Sequence, residues 1–169
     1  MPLTMYQATV PAFLQTLNAC SAILDKAEAD AAARKIDQAT LLDYRLAPDM
    51  FPLSKQLQLV TDFAKGTVAR LAGVEVPKYE DSEKTIAEFK ARIAKTAAFV
   101  RGFKPGAIDG SETRSITIPI GGQPTTFTGQ DYLVSFALPN FYFHATAAYA
   151  ILRHCGVNIG KRDYLGRTS

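Results

Sequence analysis

The chain of 169 residues contains two histidines, His144 and His154, so imidazole chemistry near neutral pH must begin with one of them. Asn140 and His144 stand four residues apart, one helical turn, and share a face. They follow Pro139 in PNFYFHATAAYAIL, a run otherwise apolar or aromatic. Gln56 falls three residues after Leu53 and four before Val60, so it intrudes on a second apolar stripe. If the two stripes face each other, Gln56, Asn140 and His144 converge between them. Such a set is either an interior cluster whose members satisfy one another, as buried polar groups do, or a site. In a site, His144 would serve as ligand or general base, both suited to an ordinary pKa of about 6.5.

The remaining candidates are weaker. Asp43 and Arg45 are spaced to project into a cleft or to pair at the surface, and exposed pairs contribute little. His154 sits beside Arg153 in the last turn of a helix, where a cation complements the helix dipole. Gly160-Lys161 is not a phosphate loop, because Arg162 stands where Ser or Thr is required. Cys20 and Cys155 read as small apolar residues, and two distant cysteines indicate a reducing compartment rather than a disulfide scaffold.

Several elements are predicted to position these residues. Thr4 and Gln7 have capping-box spacing, and Val10, Phe13, Leu14, Leu17, Cys20 and Leu24 continue as one apolar stripe. The first helix is placed at residues 4–29, kinked at Pro11 or starting late. The stretch 30–49 reads as a connector in which Ala31 to Lys35 could add a helical turn. A second helix opens near Pro52 and carries Leu53, Leu57, Val60, Ala64, Val68 and Leu71 up to Gly73, a C-terminal cap. Asp81 or Ser82 is expected to cap a third helix, with Ile86, Phe89, Ile93, Ala97 and Val100 buried and Gly102 at its end. Ile116, Ile118 and Ile120 alternate, Gly121-Gly122 turns the chain, and Thr125 and Phe127 return, which is a β-hairpin. Thr128 and Asp131 start the last helix, predicted over 129–155 with a kink at Pro139 and a stop at Gly156. The tail VNIGKRDYLGRTS is expected to be irregular.

These elements predict an all-α fold, a four-helix bundle with a hairpin before the last helix, in a single domain over residues 1–169. Hydrophobic content of 47% and charged content of 21% fit a globular chain. The net charge of +3 is scattered rather than clustered, which argues against nucleic acid as a partner. No apolar run reaches the roughly 18 residues of a membrane span, and the N-terminus lacks a basic-then-apolar signal pattern. A cytoplasmic location is the expectation.

From the last helix outward the chain resembles the DinB-like superfamily of four-helix bundles, which includes the YfiT-type proteins and thiol S-transferases. The blocks RLAPDMFPLSKQLQL, LPNFYFHATAAYAILRHCG and GKRDYLG are similar to a branch without an assigned activity, over nearly the whole chain. The resemblance implies an up-down-down-up bundle. It also implies a metal site made of HxxxH on the last helix and a third histidine on the second. Here the second histidine of the pair matches His144, and Arg153 and Gly156 fall where a later Arg and Gly belong. Asn140 and Gln56 occupy the other two ligand positions, so a zinc or nickel site would be degenerate. A divalent metal prefers three good donors and an open water position, and carboxamides are weak donors.

Two readings follow. One is an enzyme related to the DinB-like transferases or hydrolases, with its pocket at Gln56, Asn140 and His144. The other is a non-catalytic helical protein that binds a small molecule or serves structurally. A homodimer is expected from the aromatic run PNFYFH and the tail with Tyr164 and Leu165, which offer more apolar surface than one bundle needs to cover.

Overall fold

The computed structural model describes residues 2–166. Four long helices carry the fold: α1 (Met5–Arg34), α3 (Leu53–Ala72), α4 (Ile86–Arg101) and α7 (Leu138–His154). Between them lie α2 (Gln38–Leu42), α5 (Pro105–Ile108), β1 (Ser115–Ile120), β2 (Gln123–Thr128) and the short turn α6 (Gly129–Asp131). A last turn, α8, spans Lys161–Tyr164.

Side-chain partners fix the helix directions. Asp25 and Glu28, late in α1, meet Lys90, early in α4, so these helices are antiparallel. Thr61 and Asp62 of α3 meet Arg92 of α4, while Lys55 at the start of α3 pairs with Asp81 just ahead of α4. α3 and α4 are therefore parallel, and the extended stretch after Gly73 returns along the length of α3. The rings of Phe13 and Phe141 lie 4.5 Å apart, and Arg34 reaches the Cys155 carbonyl, so α1 and α7 run together. This is the up-down-down-up bundle. Its core combines Phe13, Leu17 and Leu24 with Leu57, Val60, Val68, Phe89, Val100, Phe141 and Leu152. Burying each such side chain favours folding by about 1.5–3 kcal/mol.

The hairpin pairs Ile116 with Phe127 and Ile118 with Thr125, turning at Gly121 and Gly122, whose φ angles are positive. A residue with a Cβ adopts that region only at a cost. Ile116 and Ile118 face the core.

Four expectations need correction. α1 starts at Met5, not late, with Thr4 and Gln7 as a capping box, and stays helical through Pro11 to Arg34. Pro11 lies on the exposed face, where the carbonyl that loses its partner can be hydrated. The cap of α4 is Thr85, with Glu88 completing the box. Asp81 and Glu83 are engaged elsewhere, on Lys55 and Arg92. The last helix runs unbroken from Gly129 to His154 but is not α-helical throughout, because Tyr132–Ala137 forms a π-helical segment before α7. Pro139 has no N–H to offer the preceding turn, and the wider turn keeps Leu133, Ala137 and Phe141 buried at four-residue steps. The tail is not irregular throughout: α8 is tied down by Lys26–Asp163, by Gln15 donating to the Leu165 carbonyl, and by Thr146 bonding the Tyr164 hydroxyl.

Candidate functional site

α3 and α7 pack as antiparallel neighbours, and their facing stripes bring Gln56 against His144. Both are buried, at 1% and 7% exposure. The His144 Nδ1 atom lies 2.8 Å from Gln56 Oε1. The Gln56 amide nitrogen donates to the Phe51 carbonyl at 3.1 Å. A backbone carbonyl can only accept, so the amide orientation is fixed and Oε1 must face the ring. The proton of a neutral His144 therefore sits on Nδ1, and Nε2 carries the free lone pair.

Phe63 stacks on the imidazole with ring centres 5.6 Å apart and a 20° tilt. Phe143 meets it edge-on at 5.3 Å. Burial among these rings disfavours the charged form, and the His144 pKa is pushed below its ordinary value. Burial thus favours the neutral imidazole, and the Gln56 bond orients it.

The other candidates are arranged differently. Asn140, one turn before His144, donates its amide to the Phe136 carbonyl of the π-helical segment at 2.8 Å. That bond ties the side chain to its own helix. Asp43 closes α2 and is exposed. Arg45 is exposed and donates to the Met50 carbonyl at 3.2 Å. Among the described residues the two form no ion pair with each other. His154 bonds the Tyr44 hydroxyl at 3.0 Å, linking the end of α7 to the connector. Burial pushes the Cys20 thiol up to about 12, so it is no nucleophile at neutral pH.

One cluster is not singled out by the sequence reading. Arg92 of α4 is buried and donates to Thr61 at 2.7 Å, Glu83 at 2.8 Å, Asp62 at 2.9 Å and the Glu80 carbonyl at 3.1 Å. The sequence does carry a signal for it, since Arg92 lies three residues after Phe89 and beside Ile93 on the apolar stripe. Its carboxylate partners come from α3 and the loop ahead of α4, and helical spacing cannot identify them.

Comparison with known proteins now places the chain. The model of a "Domain of unknown function (DUF1993)" matches residues 5–165. A crystal structure of a DinB family member protein from Shewanella denitrificans is 44% identical, covering 96% of this chain and 92% of that one, with a TM-score of 0.90. The chain is a DinB-family protein of the DUF1993 type. No curated protein matches it.

The metal that the DinB fold implies can be tested against the side chains present. Of the three positions that the resemblance assigns to metal ligands, one holds an imidazole and two hold carboxamides, which bind zinc or nickel weakly. The nitrogen of His144 that faces position 56 is already hydrogen-bonded, and the Gln56 and Asn140 amides are bonded to backbone carbonyls. Among the described residues no three His, Cys, Asp or Glu side chains stand together to hold a metal ion. The donor set at His144 does not fit a divalent metal.

Proposed function

We propose that this DinB-family protein binds a small polar molecule between α3 and α7 without a metal, using His144 Nε2 as a fixed hydrogen-bond acceptor. The observation that carries this is the bond from His144 Nδ1 to Gln56 Oε1, anchored in turn on the Phe51 carbonyl. A catalytic histidine that must take up a proton is commonly oriented by a carboxylate, which stabilises the imidazolium. Here the orienting group is a neutral carboxamide and burial opposes the charge. Positioning is retained while proton uptake is disfavoured, which suits recognition better than general-base catalysis. The test is metal analysis of protein purified without an affinity tag, followed by an NMR screen of small hydrogen-bond donors. The reading expects trace metal only and donor-induced shifts at His144 and Gln56; stoichiometric zinc or nickel would overturn it.

A second reading, a homodimer, is supported by the apolar side chains left exposed along one side. Phe143 is 57% exposed and Phe51 53%, with Leu46 and Tyr142 also open to solvent. Leu46, Met50, Tyr142, Phe143 and Ala147 line an open groove of about 430 Å³. A second copy of the chain is the occupant proposed for this face. Light scattering at micromolar concentration should give twice the 18.4 kDa chain mass, falling to one chain in Phe143→Glu. A wild-type monomer would rule it out.

A further inference from the structure

Next to the His144 site, and sharing Phe63 with it, a cleft of about 230 Å³ opens between α3, the hairpin and the π-helical segment. Its walls are Leu59, Phe63, Ile118, Pro119 and Phe136, with Arg70 among them. Phe63 and Phe136 stand with ring centres 5.8 Å apart and tilted by 56°, a partly open aromatic pair on which a flat apolar group can lie.

Arg70 is held in this apolar setting by two features. Its Nη1 donates to the Tyr132 hydroxyl at 3.1 Å. Its guanidinium also folds back over Gly66, one turn earlier on α3, where a Cβ would stand 2.5 Å from Nη1. The missing side chain at position 66 makes room for that pose. Among the described residues no carboxylate lies within ion-pair distance of Arg70. Asp62, the acidic residue at the cleft, is already bonded by Arg92 at 2.9 Å and Lys65 at 2.6 Å. The cleft thus combines an apolar body, a positioned cation with free N–H donors, and a carboxylate whose charge is met elsewhere.

We propose that this cleft binds a small carboxylic acid with a flat or branched apolar body, its carboxylate on Arg70 and its body between Phe63, Phe136 and Ile118. A guanidinium presents paired N–H donors that match a carboxylate. The volume exceeds the roughly 150 Å³ of an apolar cavity that admits benzene, so an aryl or branched alkyl acid fits. An ammonium compound of the same shape is repelled by Arg70, and a neutral alcohol makes weaker bonds. This site does not depend on the metal-free reading of His144.

The probes are benzoate and 3-methylbutyrate, with benzyl alcohol and benzylammonium as controls, followed by NMR on the full chain. The expected result is saturable binding of an acid at millimolar concentration, with shifts at Phe63, Arg70, Ile118 and Phe136. The alcohol should bind more weakly and the ammonium compound not at all. Arg70→Gln should weaken acid binding about tenfold or more, as loss of a charge-assisted bond does. Gly66→Ala, which displaces the guanidinium but keeps its charge, should weaken it as well, and circular dichroism identifies variants that remain folded. No saturable binding of either acid overturns the proposal, as does undiminished binding in Arg70→Gln or equal binding of benzylammonium.

Discussion

His144 Nδ1 lies 2.8 Å from Gln56 Oε1, across the seam between α7 and α3. The bond joins positions where the DinB resemblance implies two metal-binding histidines. A carboxamide in one of them makes a hydrogen bond to the imidazole instead of sharing a metal with it. Several consequences can be measured.

The first concerns pH. Burial lowers the folded-state pKa of His144 below the unfolded value of 6.5. Between those two values the unfolded chain binds a proton that the folded chain does not, so stability rises with pH there. This contribution is complete above about 6.5 and is lost as pH falls through the folded pKa. The melting temperature should drop as pH is lowered from 7.5 into that window, and His144→Gln should remove this part of the slope. A slope unchanged by the substitution would contradict the burial account.

Arg92 anchors α4 to α3 and to the loop before it. Arg92→Met should cost roughly 2–4 kcal/mol, because Glu83 keeps the Gln58 amide but loses its cation at a site with little water. Urea denaturation checks this, and a loss below about 1 kcal/mol, typical of surface pairs, would show that the network contributes little.

Gly129 is set by close approach. A Cβ there would overlap the Ser111 backbone carbonyl, which has no flexible end to move aside. Gly129→Ala should destabilise by about 1–3 kcal/mol through overpacking, whereas Gly106→Ala, with open space around it, should change stability far less. Thermal denaturation of the pair distinguishes crowding from a general effect of replacing glycine.

Much of the bundle is legible in the sequence because its helices bury simple stripes. Leu53, Leu57, Val60, Ala64 and Val68 announce α3, and Ile116, Ile118 and Gly121-Gly122 announce the hairpin. Gln56 stands out as a polar residue on such a stripe, and it is buried. The π-helical segment is not legible, because Pro139 states only that a bond is missing and not how the backbone responds. The Arg92 cluster and the Arg70 cleft escape for another reason. Each depends on residues brought from distant segments, such as Asp62 to Arg92 and Tyr132 to Arg70.

Restoring the histidines tests the ligand mapping. Gln56→His with Asn140→His places three imidazoles at the α3–α7 seam, a good donor set for zinc or nickel. Metal at 100 times its dissociation constant should add about 2.7 kcal/mol to the double variant, a rise of roughly 5–10 °C in a chain of this size. The wild type should show little rise. A folded double variant that gains no metal-dependent stability would leave positions 56 and 140 without a claim to ligand geometry.

The most direct test of the metal-free account is the protonation state of His144, read by long-range 1H–15N NMR of the imidazole at pH 7 with and without zinc. The account predicts a neutral ring with its proton on Nδ1, titrating below 6.5, and spectra unchanged by equimolar zinc. A proton on Nε2, a charged ring at pH 7, or a zinc-induced shift of the His144 nitrogens would contradict it.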